Sequence, residues 1–275
     1  MTDQRLTYAM VNREERFFCM LLSHCLLAND GARQGFAKVV EENQEIPSLF
    51  SASPDLALYV EVAALRDFWR HLGNPNSKNP DVEEKRLRFL RKAVDWANTL
   101  DLGGAKGCAL IPFELLEKSP GSPLWTEGGK SSHEPKLWSP ARWSMKGLDE
   151  FPLSKPCAKR LMRLRWAFNA KPDILVLEGR RGLLIEAKVE SGGGSNRDGY
   201  DQVQTQRDIL SLWKHLELPG LDGTIHLVTL GKGRPLNKEA PHLTWQSVLE
   251  GIGKENMDQF TWECFRDSEA LGVDL

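Results

Sequence analysis

Apolar positions at helical spacing open the chain. Asn12 can cap a helix through Glu14, Glu15 and Phe17 to about Ala28, with Phe18, Leu22 and Leu26 on one face. A second helical region is expected from about Asp55 to Leu72, followed by an Asn- and Pro-rich loop, Gly73 to Pro80. Asp81 starts a third helix with Leu87, Leu90, Val94 and Ala97 on its apolar face. Residues 101–156 are rich in Gly, Pro, Ser and Trp and lack a clear period, so long loops are expected there, with a short strand at Cys108 to Phe113.

From Met162 the period changes. Met162, Leu164, Trp166 and Phe168 alternate with Arg163, Arg165 and Ala167, which favours a strand; Leu161, Leu164 and Phe168 also fit a helix. Ile174 to Leu177 reads as a short strand. Gly179-Arg180-Arg181-Gly182 reads as a hairpin connection, and Leu183 to Lys188 as the returning strand. A polar, Gly-rich loop, Ser191 to Gly199, precedes a helix from Tyr200 to about Glu217. A strand from Thr224 to Leu230 and helices at Leu243 to Ile252 and Met257 to Leu271 complete the pattern.

Composition narrows the class. The 275 residues are 41% hydrophobic and 27% charged, enough for one large domain or two small ones with a real core. Net charge is only −2, yet Phe151 to Glu190 holds nine Lys/Arg against four Asp/Glu, a local excess of +5 in an otherwise acidic chain. A localised phosphate-binding face needs such an island, although a solvated basic surface would look the same. Five scattered cysteines form no CxxC pair, which argues for reduced thiols and against an iron–sulfur cluster. The first residues lack a signal-peptide pattern and the longest apolar stretch, Phe17 to Leu22, is too short to span a bilayer, so a cytoplasmic protein is expected.

The candidate chemistry lies in the hairpin. Phosphodiester hydrolysis assisted by a divalent cation needs two carboxylates close enough to share it, a water acidified by the metal, and a nearby cation to orient that water. Asp173 stands at the start of one predicted strand; Glu186 and Lys188 lie two apart on the next and face the same side. Antiparallel pairing through the Gly179–Gly182 connection brings Asp173 beside Glu186, and the Ala187 carbonyl remains free as a ligand. The strand around Glu186 is strongly apolar (Leu183, Leu184, Ile185, Val189). A surface Glu–Lys pair does not explain charges at such a position.

Pro172-Asp173, twelve intervening residues and Glu186-Ala187-Lys188 resemble the signature of the PD-(D/E)XK nuclease superfamily. The resemblance covers about seventy residues and implies an α/β fold: a restriction-endonuclease-like core of a mixed central sheet flanked by helices, with a helical N-terminal region. On that division residues 1–155 contribute the first core helix, and residues 156–275 form the nuclease core with its C-terminal helices. The resemblance implies that Asp173 and Glu186 bind Mg²⁺ (or Mn²⁺) and that Lys188 positions the attacking water. It adds an acidic residue from the first helix, for which Glu15 is the candidate, and a glutamine on the helix after the catalytic strands, for which Gln202 and Gln206 are candidates.

Arg163 and Arg165, with Lys159 and Arg160, are candidates for holding a nucleic-acid backbone, and Arg197 for assisting from the Gly192–Gly194 loop. Gly129-Lys130-Ser131 is not a P-loop, since Leu124 stands where the first glycine belongs. The expected function is metal-dependent cleavage of nucleic acid, DNA favoured over RNA because most members of the family act on DNA, with 5′-phosphate products. Restriction, phage defence and repair all remain open as settings, as does a homodimer or a larger defence or repair complex. The alternative is a non-catalytic nucleic-acid-binding or protein-interaction module that keeps the fold.

Overall fold

In the computed structural model, the residues described are 14–43, 46, 55–73, 80–102, 110–118, 122–125, 137–150, 152–189, 201–233 and 240–275. The elements run α1 (Glu15–Ala28), α2 (Asp30–Glu42), β1 (Ala57–Val60), α3 (Ala64–His71), α4 (Pro80–Thr99), α5 (Phe113–Lys118) and α6 (Met145–Glu150). They continue with α7 (Lys155–Asn169), β2 (Ile174–Glu178), β3 (Arg181–Ala187), α8 (Gln202–His215), β4 (Thr224–Gly231), β5 (His242–Thr244), α9 (Trp245–Ile252) and α10 (Gln259–Arg266). The protein is α/β, with a five-stranded mixed sheet flanked by helices. The chain divides into two compact units. The first takes in the chain up to Val62, Pro172–Gln206 and Gly223–Leu275; the second takes in Ala63–Lys171 and Arg207–Asp222.

The first unit holds the sheet, in the order β1-β2-β3-β4-β5. β1–β2 and β2–β3 are antiparallel; β3–β4 and β4–β5 are parallel. β2 and β3 are buried along almost their whole length, which is why they read as continuous apolar runs rather than as alternating patterns. Ile174, Val176, Leu183, Ile185 and Ala187 join Phe18 and Leu22 of α1, Trp245 of α9 and Phe265 of α10 in one core. Burial of the Val, Leu, Ile and Phe side chains among them contributes on the order of 1.5–3 kcal/mol each.

The predicted first helix ends at Ala28, as expected, and α2, which was not expected, follows at once. Asn29 is extended (φ −136°), its N–H bonds to the Cys25 carbonyl, and its side chain accepts from Ala32 N–H at 3.1 Å, so one residue ends α1 and caps α2. The predicted cap Asn12 lies outside the described residues. α2 and α9 cross at glycine: a Cβ on Gly35 would stand 2.1 Å from the Gly251 carbonyl oxygen. The helix expected over residues 55–72 is instead β1 followed by α3. Pairing of Val60 with Ile174 recruits the apolar run to the sheet, and Glu61 (φ +56°) turns the chain out of it. The helix expected to begin at Leu243 starts at Trp245, because His242–Thr244 pair with β4.

Among its described residues, the second unit's regular elements are helices, with one isolated antiparallel bridge between Trp125 and Leu137. The strand expected over residues 162–168 is part of α7. Cys157, Leu161, Leu164 and Phe168, at three- and four-residue spacing, form its buried face, and this face prevails over the two-residue alternation. Phe168 meets Phe89 of α4 edge-on at 6.0 Å. Of the strand expected over Cys108–Phe113, residues 108 and 109 lie outside the described residues, and Phe113 begins α5.

Candidate metal centre

A two-residue turn sets the register of the site. Glu178 pairs with Arg181, leaving Gly179 and Arg180 as the loop, and Gly179 takes φ +60°, a conformation that glycine adopts without strain. Ile174 then faces Ile185, which brings Asp173, one residue before β2, level with Glu186 on β3. Asp173 Oδ2 accepts the Ala187 backbone N–H at 2.8 Å. Its own carbonyl accepts from Glu61 N–H at 3.0 Å, so the edge strand also fixes its backbone.

Glu186 is fully buried, and both its carboxylate oxygens accept hydrogen bonds. Oε1 accepts from Lys188 Nζ at 3.0 Å and from Gln202 Nε2; Oε2 accepts from Gln206 Nε2 at 2.5 Å. The glutamines come from the first turns of α8, which follows β3 in the chain. Glu15, in the first turn of α1, points inward on the side of Cys19 and Leu22. Both its carboxylate oxygens lie 3.0 Å from Lys188 Nζ. Lys188 Nζ also donates to the Ala187 carbonyl at 2.7 Å. Oxygens of Glu15, Asp173 and Glu186 lie within 4.8 Å of one another.

The electrostatics are those of crowded negative charge. Burial, then the neighbouring Glu186 and Glu15, push the Asp173 carboxyl up to about 8. Burial also raises Glu186, against the opposing pull of Lys188 and Gln206. Burial works against the Lys188 ammonium, but Glu186, Glu15 and Asp173 outweigh it and raise the group to about 12. Burial, with the same carboxylates, holds the Cys19 thiol protonated. Once ionised, three carboxylates against one ammonium leave a deficit of positive charge, and the donors on offer are hard oxygens. Mg²⁺ and Mn²⁺ select that donor chemistry, so the residues present fit such an ion.

The sequence-derived site residues divide cleanly. Glu15, Asp173, Glu186, Ala187, Lys188, Gln202 and Gln206 come together in the first unit. Arg163 and Arg165 belong to the second unit. There Arg163 forms a two-pronged ion pair with Asp208, and Arg165 donates to the Trp143 carbonyl at 2.5 Å. Arg197 lies outside the described residues.

Two contributors were missed. The Trp245 indole N–H donates to the Lys188 carbonyl at 2.9 Å, while Lys188 N–H bonds to the Leu230 carbonyl at 2.7 Å, so the lysine's backbone is held on both sides. Thr229 pairs with Glu186 across the sheet and its hydroxyl contacts His242 Nδ1 at 2.8 Å. No local pattern marks Trp245 or Thr229; parallel register with β3 was the signal that could have found Thr229.

Compared with known proteins, the chain matches no family model, no curated protein and no solved structure. Among the described residues, no helix is long and apolar enough to cross a membrane.

Proposed function

We propose that this protein is a divalent-metal-dependent nuclease with a restriction-endonuclease-like core of the PD-(D/E)XK kind, and that it hydrolyses phosphodiester bonds in DNA. The observation that carries this reading is the meeting of Glu15, Asp173 and Glu186 within 4.8 Å, beside the Lys188 ammonium, at adjoining ends of two antiparallel strands. Buried charges of one sign are costly, and a fold retains them where a cation or a reaction uses them.

Asp173, Glu186 and the Ala187 carbonyl would hold the ion, with Glu15 beside them. A bound Mg²⁺ supplies Lewis acidity at the phosphate and acidifies water. The chain supplies the rest. Gln202 and Gln206 fix Glu186 by donating to both its oxygens, and the Ala187 N–H fixes Asp173. Lys188 offers a charged donor to the attacking water and to negative charge developing on the phosphate oxygens. Removal of the lysine or of either core carboxylate should therefore abolish the reaction.

The test is cleavage of supercoiled and linear DNA, and of RNA, with Mg²⁺ or Mn²⁺. Wild type should cut, and Asp173→Ala and Lys188→Ala should lose about a thousandfold or more in rate, as expected when an electrostatic and positioning group is removed. Equal cleavage by the variants would remove the catalytic assignment. Binding of DNA without cleavage under every metal condition would favour a non-catalytic binding module.

A further inference from the structure

Lys188 stands where the metal would. Its ammonium lies 3.0 Å from both Glu15 oxygens, 3.0 Å from Glu186 Oε1 and 2.7 Å from the Ala187 carbonyl. Of the four groups that would serve a divalent cation, only Asp173 is without a hydrogen bond from it. An ammonium has three protons to donate and no acceptor, so four oxygens at these distances form a cation cage around it. Mg²⁺ binds its oxygens at about 2.0–2.1 Å and does not share them with a positive nitrogen in the same cage.

We propose that the Lys188 ammonium is the resident cation of the metal-free centre, and that metal loading expels it. The inference rests on the reading of this cluster as a metal centre. Its backbone is pinned by Leu230 and Trp245, so the movement falls to the four-carbon side chain. Glu186 stays behind, because Gln202 and Gln206 hold it independently of the lysine. The exchange couples two events. Without metal, the lysine is spent on Glu15 and Glu186 and has no donor to offer a phosphate. With metal bound, the same side chain is released to do so. Metal and nucleic acid thus bind cooperatively through one displaced side chain.

Calorimetric titration with Mn²⁺, in the absence of nucleic acid, tests the exchange. The caged state lowers the apparent metal affinity of wild type, so Lys188→Met and Lys188→Gln should bind Mn²⁺ roughly tenfold or more tightly than wild type. Affinity equal to or weaker than that of wild type would overturn the proposal while leaving the metal centre standing. Absence of Mn²⁺ binding by wild type and variants alike would overturn the metal centre itself, and the exchange with it. Should the neutral variants fail to fold, wild type carrying ¹³C at lysine Cε gives a second readout, with the signal assigned through Lys188→Arg. Saturating Mg²⁺ should move the Lys188 resonance to the position of exposed lysines; a resonance that stays in place with metal bound would overturn the exchange.

Discussion

Replacing Asp173 with asparagine should make the metal-free protein more stable at alkaline pH while abolishing cleavage. The Asp173 carboxyl is buried beside Glu186 and Glu15, which lifts it from an ordinary 3.8 to about 8. A carboxyl raised on folding binds its proton more tightly in the native state. The native state is therefore undisturbed by this group below about pH 4 and loses stability as pH climbs from there to about 8. At about 1.4 kcal/mol per unit, the full shift corresponds to roughly 6 kcal/mol; relaxation of the site reduces this to about 2–4 kcal/mol. Asparagine keeps an oxygen to accept the Ala187 N–H and carries no charge to desolvate. Urea unfolding with a chelator present, at pH 5 and at pH 9, measures the difference. Wild type should lose stability between the two, and Asp173→Asn should lose about 1.5–3 kcal/mol less, since part of the interval from 3.8 to about 8 lies below pH 5. Adding Mg²⁺ at pH 9 should restore wild type and leave the variant unchanged. A wild type equally stable at both pH values, or a variant less stable than wild type at pH 9, would refute the electrostatic account.

Gly35→Ala drives a methyl into the Gly251 backbone carbonyl, which cannot swing aside as a side chain can; overpacking of about 3 kcal/mol, less about 1 kcal/mol of helix propensity, should leave a net loss of about 2 kcal/mol and a lower urea midpoint. An unchanged midpoint would mean that α2 and α9 do not meet backbone to backbone. In the second unit, Arg163→Met removes a two-pronged ion pair from the buried Asp208 carboxylate and should cost about 1.5–3 kcal/mol, whereas Arg163→Met with Asp208→Leu should recover part of it. Equal losses in the single and double variants would show that the pair is not coupled. Trp245→Phe removes the donor to the Lys188 carbonyl, at about 1 kcal/mol in stability. It should lower kcat for DNA cleavage with KM little changed, and an unaltered kcat would show that this bond does not position the lysine.

The hairpin and its site were legible because local rules sufficed. A glycine turn, two apolar runs and a two-residue side-chain period placed Asp173, Glu186 and Lys188 together without knowledge of the rest of the chain. Glu15 was named only because the resemblance implies an acidic residue on the first helix, and it does lie in the first turn of α1. The failures lie where two periods compete or where pairing partners are remote. Residues 162–168 satisfy both a strand and a helix, and only burial of Cys157 and Leu161 beyond the window decides between them. β1 and β5 are strands because of what they pair with, β2 and β4, and four or three residues carry too little pattern to announce it. Trp245 reaches the site through a helix 57 residues beyond the lysine it contacts.

Chain order gives the first unit a kinetic character. Glu15 and Lys188 stand 173 residues apart, and the tryptophan that pins the lysine comes later still. Contacts of such separation close large loops and belong to the slow end of folding. A nascent chain that has emerged only as far as β3 holds every acidic residue of the centre but lacks β4 and Trp245. Synthesis from the N-terminus thus supplies the acidic residues well before the frame that organises them, and translation arrested between those points yields a chain that carries the three carboxylates without the assembled site.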